Sequence, residues 1–195
     1  MVFATKPELG RRMVVRALDA QVPARWVTAD EVYGSDSRFR GVLEERSIGY
    51  VVAVSCQQRL FLGMSYGRAD QHAASLPKRA WRKLSCGAGS KGERFYDWAF
   101  LPFPFPTEQG LARGLLVRRS REDENDFAYY LTHASQGTPL KTLVKVVNVL
   151  PSYRMGPPKL ANQMLPSRSS RILRKITGGI RGNDLSAIGV KNGSG

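Results

Sequence analysis

Asp30 closes the run Trp26-Val27-Thr28-Ala29 and is followed by Glu31-Val32-Tyr33-Gly34. A short apolar stretch that stops at a carboxylate, then a glycine-ended turn and a helix, places the acid where a parallel strand runs out. That position faces the crevice in which α/β sheets bind ligands and metals. Asp30 is therefore the foremost candidate for a catalytic and metal-ligating residue. The chemistry would be phosphodiester cleavage or transfer on divalent ions, which needs carboxylates converging from several elements. One carboxylate alone offers a divalent ion too few oxygen ligands. The plainer reading of Asp30 is a strand-end acid that caps the next helix. Glu31 is expected to point the other way, because successive strand residues alternate sides.

A second group of residues could meet a polyanion. Lys91, Arg94, Tyr96 and Trp98 combine cations with stacking surfaces, as DNA contacts require. Glycines beside Lys91 would let backbone amides approach a phosphate, although the spacing is not that of a P-loop. Tyr96 and Trp98 share one face of a strand, and Trp98 reads as core. Arg118, Arg119 and Arg121 could grip phosphates, but Glu122, Asp123, Glu124 and Asp126 follow and would offset them in a hairpin turn. Lys91, Arg94, Arg118 and Arg119 are the DNA-contact candidates that result. His72 and His133 lie far apart with no nucleophile elbow near either, so both are expected at the surface and a hydrolase triad is not supported.

The elements that must hold these residues can be read from periodicity. Residues 7–21 carry apolar positions Leu9, Met13, Val14, Ala17 and Leu18, a helical stripe with Pro7 suited to the first turn. Residues 25–29 are the strand ending at Asp30. Asp36 or Ser37 then caps a helix facing inward through Phe39, Val42 and Leu43 and ending at Gly49. Residues 50–54 form a continuous apolar run typical of a strand covered on both faces. Helix, strand, helix, strand in this order predicts an α/β module with a parallel sheet. A short helix is expected over 66–75. Strands are expected over 81–85, 94–101, 111–118 and 127–131, forming an antiparallel β insert at about 80–132. Pro139 starts a further helix through Leu140, Leu143 and Val144.

Charge sharpens the partner class. The 195-residue chain holds 30 basic and 16 acidic residues, a formal charge of +14, which favours polyanions by counterion release. Eight of those basic residues but one acid, Asp184, lie in 147–195. That segment is also rich in proline and glycine and lacks a sustained apolar period, so it is expected to be a disordered basic tail. Cys56 and Cys86 have no zinc-ligand spacing and read as reduced thiols. No apolar run reaches membrane-spanning length, so the expected location is the cytoplasm.

With these modules in place, a resemblance emerges. Trp26 to Gly34, then Ser55-Cys56-Gln57, then Lys91-Gly92-Glu93-Arg94-Phe95-Tyr96-Asp97-Trp98-Ala99, then Leu115-Leu116-Val117-Arg118-Arg119 and Tyr129-Tyr130-Leu131-Thr132 are similar to the central part of bacterial insertion-sequence transposases of the DDE type. The resemblance spans about three quarters of the chain. It implies an incomplete RNase H-like core over 1–146, DNA cleavage and strand transfer on two Mg2+ or Mn2+ ions, and Asp30 as the second of three catalytic acids. It places the first acid on a strand upstream of residue 1 and the third, a glutamate, on a helix after Val146. Residues 147–195 hold no glutamate.

Three expectations follow. The first is a truncated DDE transposase-like protein, catalytically inactive by itself, whose open sheet edge makes it marginally stable. The second is a nonspecific DNA-binding protein that modulates a homologous full-length transposase. The third is a nuclease that draws further acids from Asp19, Asp70, Asp97 or a partner chain.

Overall fold

The computed structural model describes residues 4–63, 65–89, 92–104, 110–148, 173–175 and 187–190. Thr5 caps the first helix, α1 (Lys6–Asp19), with Pro7 in the first turn where its missing N–H is not needed. Glu8 is gripped by Arg11 at 2.8 Å and Arg12 at 2.7 Å, and these hydrogen bonds lower its carboxyl to about 2.

The strand β1 (Trp26–Ala29) leads through α2 (Glu31–Gly34) and α3 (Ser37–Glu45) into β2 (Gly49–Val54). Asp36 caps α3 by accepting from the Phe39 N–H at 2.7 Å. The stop is made by Ser47 at φ 54°, two residues before the glycine that the sequence marks for it. Strands β1 and β2 are parallel, with Trp26 opposite Gly49 and Ala29 opposite Val52. This is the α/β module expected from the pattern.

The next segment departs from expectation. Residues 66–75 are not one helix: β3 (Arg59–Leu62) and β4 (Ser65–Arg68) form a separate two-stranded ribbon, and α4 (Ala69–Ala74) begins only at Ala69. After a 3-10 turn at Lys78–Ala80, the strands β5 (Arg82–Gly89), β6 (Gly92–Pro102), β7 (Leu111–Arg119) and β8 (Phe127–Ser135) run as an antiparallel meander. β8 also pairs with β2, Tyr50 opposite His133 and Val54 opposite Tyr129. The β insert is thus continuous with the parallel strands.

Helix α5 (Leu140–Val147) packs near β5, β2 and β1. Seven residues of the segment read as a disordered tail are strands: β9 (Leu173–Lys175) and β10 (Ala187–Val190). The disordered reading does not extend to them; 149–172, 176–186 and 191–195 lie outside the described residues. β10 lies parallel to β1, Trp26 opposite Ala187 and Ala29 opposite Val190. The main sheet therefore has eight strands in the order β5-β6-β7-β8-β2-β1-β10-β9. The open edge expected at β1 is covered, because an unpaired row of peptide groups is satisfied by any strand of matching length.

Alternation divides the core between two faces of this sheet. Tyr50, Val52 and Val54 pack with Val14, Phe39, Leu43, Leu115 and Val117. Val51 packs on the other face with Trp98, Leu116, Tyr130, Leu143, Val144 and Val147. The result is a mixed α/β architecture in which an antiparallel meander extends the parallel module, consistent with the RNase H-like fold expected from the sequence. Among the described residues no helix is long and apolar enough to cross a membrane.

Candidate functional site

Asp30 sits at the carboxyl end of β1, as expected, with its backbone extended at φ −73° and ψ 178°. Its Oδ1 accepts from the Val32 N–H at 3.1 Å, which makes it the N-cap of α2. Its own N–H donates to the Val190 carbonyl at 3.3 Å. The capping role and the rim position hold together, since the strand end and the helix start are adjacent. Glu31 follows in the first turn of α2 and is also partly exposed.

Gly34 explains why this motif closes on glycine. A Cβ there would lie 1.9 Å from the Ala53 carbonyl oxygen, so α2 can press against β2 only without a side chain at that point. A Cβ on Gly10 would likewise meet the Tyr33 ring at 2.5 Å. Asp30 is thereby held between two strands and a helix whose packing leaves little freedom. Tyr33, buried beside it, has its phenol pushed up by burial and by the Asp30 charge.

The other acids that could join Asp30 are engaged by arginines. Asp19 pairs with Arg46 at 3.0 Å and Asp70 with Arg68 at 2.7 Å. Asp97 is held by Arg119 at 3.1 Å and Arg121 at 2.6 Å. Burial works to raise the Asp97 carboxyl, but the two arginines outweigh it and hold it below its ordinary value. The strand beside β1 brings Ala187, Ile188, Gly189 and Val190, none of them acidic. Among the described residues no three His, Cys, Asp or Glu side chains come together to hold a metal ion. One carboxylate already engaged as a cap does not fit a two-ion centre.

The cationic candidates divide by face. Arg118 lies opposite Trp98 in the register and Arg119 opposite Asp97, so the two neighbours point to opposite sides of the sheet. The Arg118 guanidinium stacks 4.5 Å from the Tyr96 ring and pairs with Asp126 at 2.9 Å. Arg94 alternates onto that same face, and among the described residues the buried Nε atoms of Arg94 and Arg118 have no hydrogen-bond partner. Arg119 stacks 4.4 Å from the Trp81 ring, in a cleft lined also by Asp70, Phe127 and Tyr129. Lys91 lies outside the described residues. Trp98 is fully buried, as its core reading requires.

Register also fixes which edge carries these groups. Val54 lies opposite Tyr129, Tyr129 opposite Val117, and Val117 opposite Ala99. The carboxyl ends of β1 and β2, the start of β8 and the end of β7 therefore share one edge, with Asp30, Arg118 and Arg119 along it.

Both histidines are buried, contrary to the expectation of surface positions. His133 stacks on Tyr50 at 5.4 Å between centroids, with its Nδ1 3.2 Å from the Ile48 carbonyl. His72 lies behind the β3–β4 ribbon, its Nε2 3.4 Å from the Leu60 carbonyl. Ring stacking and the carbonyl contact help offset the cost of burying the His133 ring, whose Nε2 is buried without a partner among the described residues. Cys56 and Cys86 are both free thiols.

Residues 1–89 match the family model described as DDE superfamily endonuclease. The matched stretch runs from α1 through β5 and contains Asp30, Gly34 and the parallel β1–β2 pair. This part of the chain is similar to DDE-type nucleases, which act on DNA and use divalent metals. No curated protein matches the chain.

Proposed function

We propose, from the likeness of residues 1–89 to DDE superfamily endonucleases, that the chain is an incomplete insertion-sequence transposase that binds DNA and does not cleave it alone. The observation that carries this reading is Asp30: it stands at the carboxyl rim of a parallel strand inside the matched stretch, yet no set of further acids gathers around it among the described residues. Retention of the strand-end acid supports the ancestry, and the shortage of oxygen ligands supports inactivity. Arg94, Arg118 and Arg119, on strands at the edge that carries Asp30, and Lys91 are the proposed contacts to the phosphate backbone. Net charge of +14 favours such binding through counterion release.

The test is twofold. Incubation with supercoiled plasmid and Mg2+ or Mn2+ is expected to leave the plasmid intact, and duplex binding is expected to weaken steeply as salt rises. Metal-dependent nicking abolished by Asp30→Ala would instead show a nuclease that completes its site with acids from elsewhere. A second outcome follows from binding without cleavage. Such a chain would occupy the same ends as a complete homologous transposase, and adding it to that enzyme is expected to slow strand transfer.

A further inference from the structure

The β3–β4 ribbon presents one face of arginines and aromatic rings to solvent. Arg59 lies opposite Arg68 and Phe61 opposite Tyr66 in its register, so all four side chains stand on the same side. All four residues are exposed, Phe61 at 56% and Tyr66 at 62%. Two large rings in water, directly across from each other, carry a cost that a structural ribbon would avoid. The opposite face is spent on packing: Leu60 is buried, and α4 backs the ribbon through Gln71 and His72, against which a Cβ on Gly67 would press at 3.3 Å.

The charges on the outer face point to an anion. Arg59 and Arg68 are like charges placed directly across a strand pair, an arrangement that is unfavourable unless a counter-charge approaches. Arg68 is answered by Asp70. Among the described residues Arg59 has no carboxylate partner and lies over the Tyr66 ring at 5.8 Å. Cations beside exposed rings are the surface on which unpaired bases stack while their phosphates are neutralised.

The ribbon is also anchored at the right edge. It springs from the turn that follows β2, where the Ala69 N–H donates to the Gln58 carbonyl at 2.9 Å and the Asp70 N–H to the Cys56 carbonyl at 3.1 Å. β2 ends at the same sheet edge as β1, where Asp30 stands.

We propose that the outer face of the β3–β4 ribbon binds unpaired nucleotides of DNA, with bases stacked on Phe61 and Tyr66 and the phosphate met by Arg59. This rests on the reading of the chain as a DNA-binding protein, and it adds that the preferred DNA is frayed or single-stranded next to the Asp30 edge.

The experiment is fluorescence anisotropy of the full chain at low ionic strength with three labelled probes: a blunt duplex, the same duplex carrying a single-stranded overhang, and the free single strand. The overhang and single strand are expected to bind more tightly than the blunt duplex. Phe61→Ala with Tyr66→Ala should abolish that preference, by roughly tenfold per ring, with duplex affinity retained. Tyr66→Phe should preserve it. Both rings are exposed, so an unchanged melting temperature verifies that the double variant folds. A preference that survives in the double variant overturns the ribbon site, as does a wild-type chain that binds duplex with no preference; both leave DNA binding standing. A wild-type chain that binds none of the probes overturns both readings. Sedimentation showing a DNA-free dimer dispersed by the double variant would assign the face to a second copy of the chain and overturn the proposal.

Discussion

The Asp30 N–H donates to the Val190 carbonyl at 3.3 Å, so the residue at the candidate rim is tied to a strand supplied from more than 150 positions later in the sequence. Through β10 the backbone groups on one side of β1 are satisfied, and Ile188 and Val190 join the core beneath α1 and α3.

Removal of residues 187–195 is expected to uncover the β1 edge. The shortened chain should melt earlier and elute partly as aggregate in size-exclusion chromatography, because an exposed edge next to apolar side chains recruits other strands. Unchanged melting and elution would show that β10 contributes nothing to the sheet.

The capping role of Asp30 can be isolated with two substitutions. Asparagine caps a helix about as well as aspartate, so Asp30→Asn should leave thermal stability near that of the wild type. Asp30→Ala should lower it by about 0.5–2 kcal/mol through loss of the bond to the Val32 N–H. Equal stability of the two variants by chemical denaturation would contradict the capping role.

Gly34 and Gly41 give opposite expectations for the same change. Gly34→Ala drives a methyl toward the Ala53 carbonyl and should destabilise by about 1–3 kcal/mol or more. Gly41 lies within α3 with nothing within 4 Å of its would-be Cβ. Gly41→Ala should therefore stabilise by about 0.5–1 kcal/mol, the helix-interior cost of glycine. Denaturant midpoints of the two variants moving in the same direction would contradict the packing described for α2.

Asp97 should contribute to acid sensitivity. Its folded carboxyl is held below the ordinary value, so the stability it adds is present above its unfolded pKa and is lost as pH falls through the lower, folded one. Melting temperatures measured from neutral pH down to acid should converge for wild type and Asp97→Asn at the acid end. A gap of constant size across the whole series would mean that the pairing with Arg119 and Arg121 is not linked to protonation.

Local signals made the first module legible. Asp36 announces α3, the alternation of Tyr50, Val52 and Val54 with Val51 serves a sheet covered on both faces, and Trp98 reads correctly as core. The strand-end position of Asp30 was legible for the same reason, since a carboxylate after a buried strand is a local pattern. The ribbon was not: Ala69–Ala74 is helical, and its pattern spreads by eye into Tyr66–Arg68, which pair instead with Arg59–Phe61. β10 has four small or branched residues and a partner remote in sequence, so nothing nearby signals it. The histidines misled because polarity suggests exposure, whereas Tyr50 and the Ile48 carbonyl receive His133 inside. Arg118 and Arg119 could have been separated by the two-residue period of a strand, which sends neighbours to opposite faces.

The pairing of Trp26 with Ala187 also sets a timetable. During synthesis the α1 to β2 unit emerges early, but its outer hydrogen-bonding row stays bare until the ribosome has passed residue 190. Non-local pairing of this kind slows folding and lengthens the interval in which a nascent chain is open to wrong partners. Yield in cells should therefore respond to chaperone supply more than the melting temperature of the finished protein would suggest.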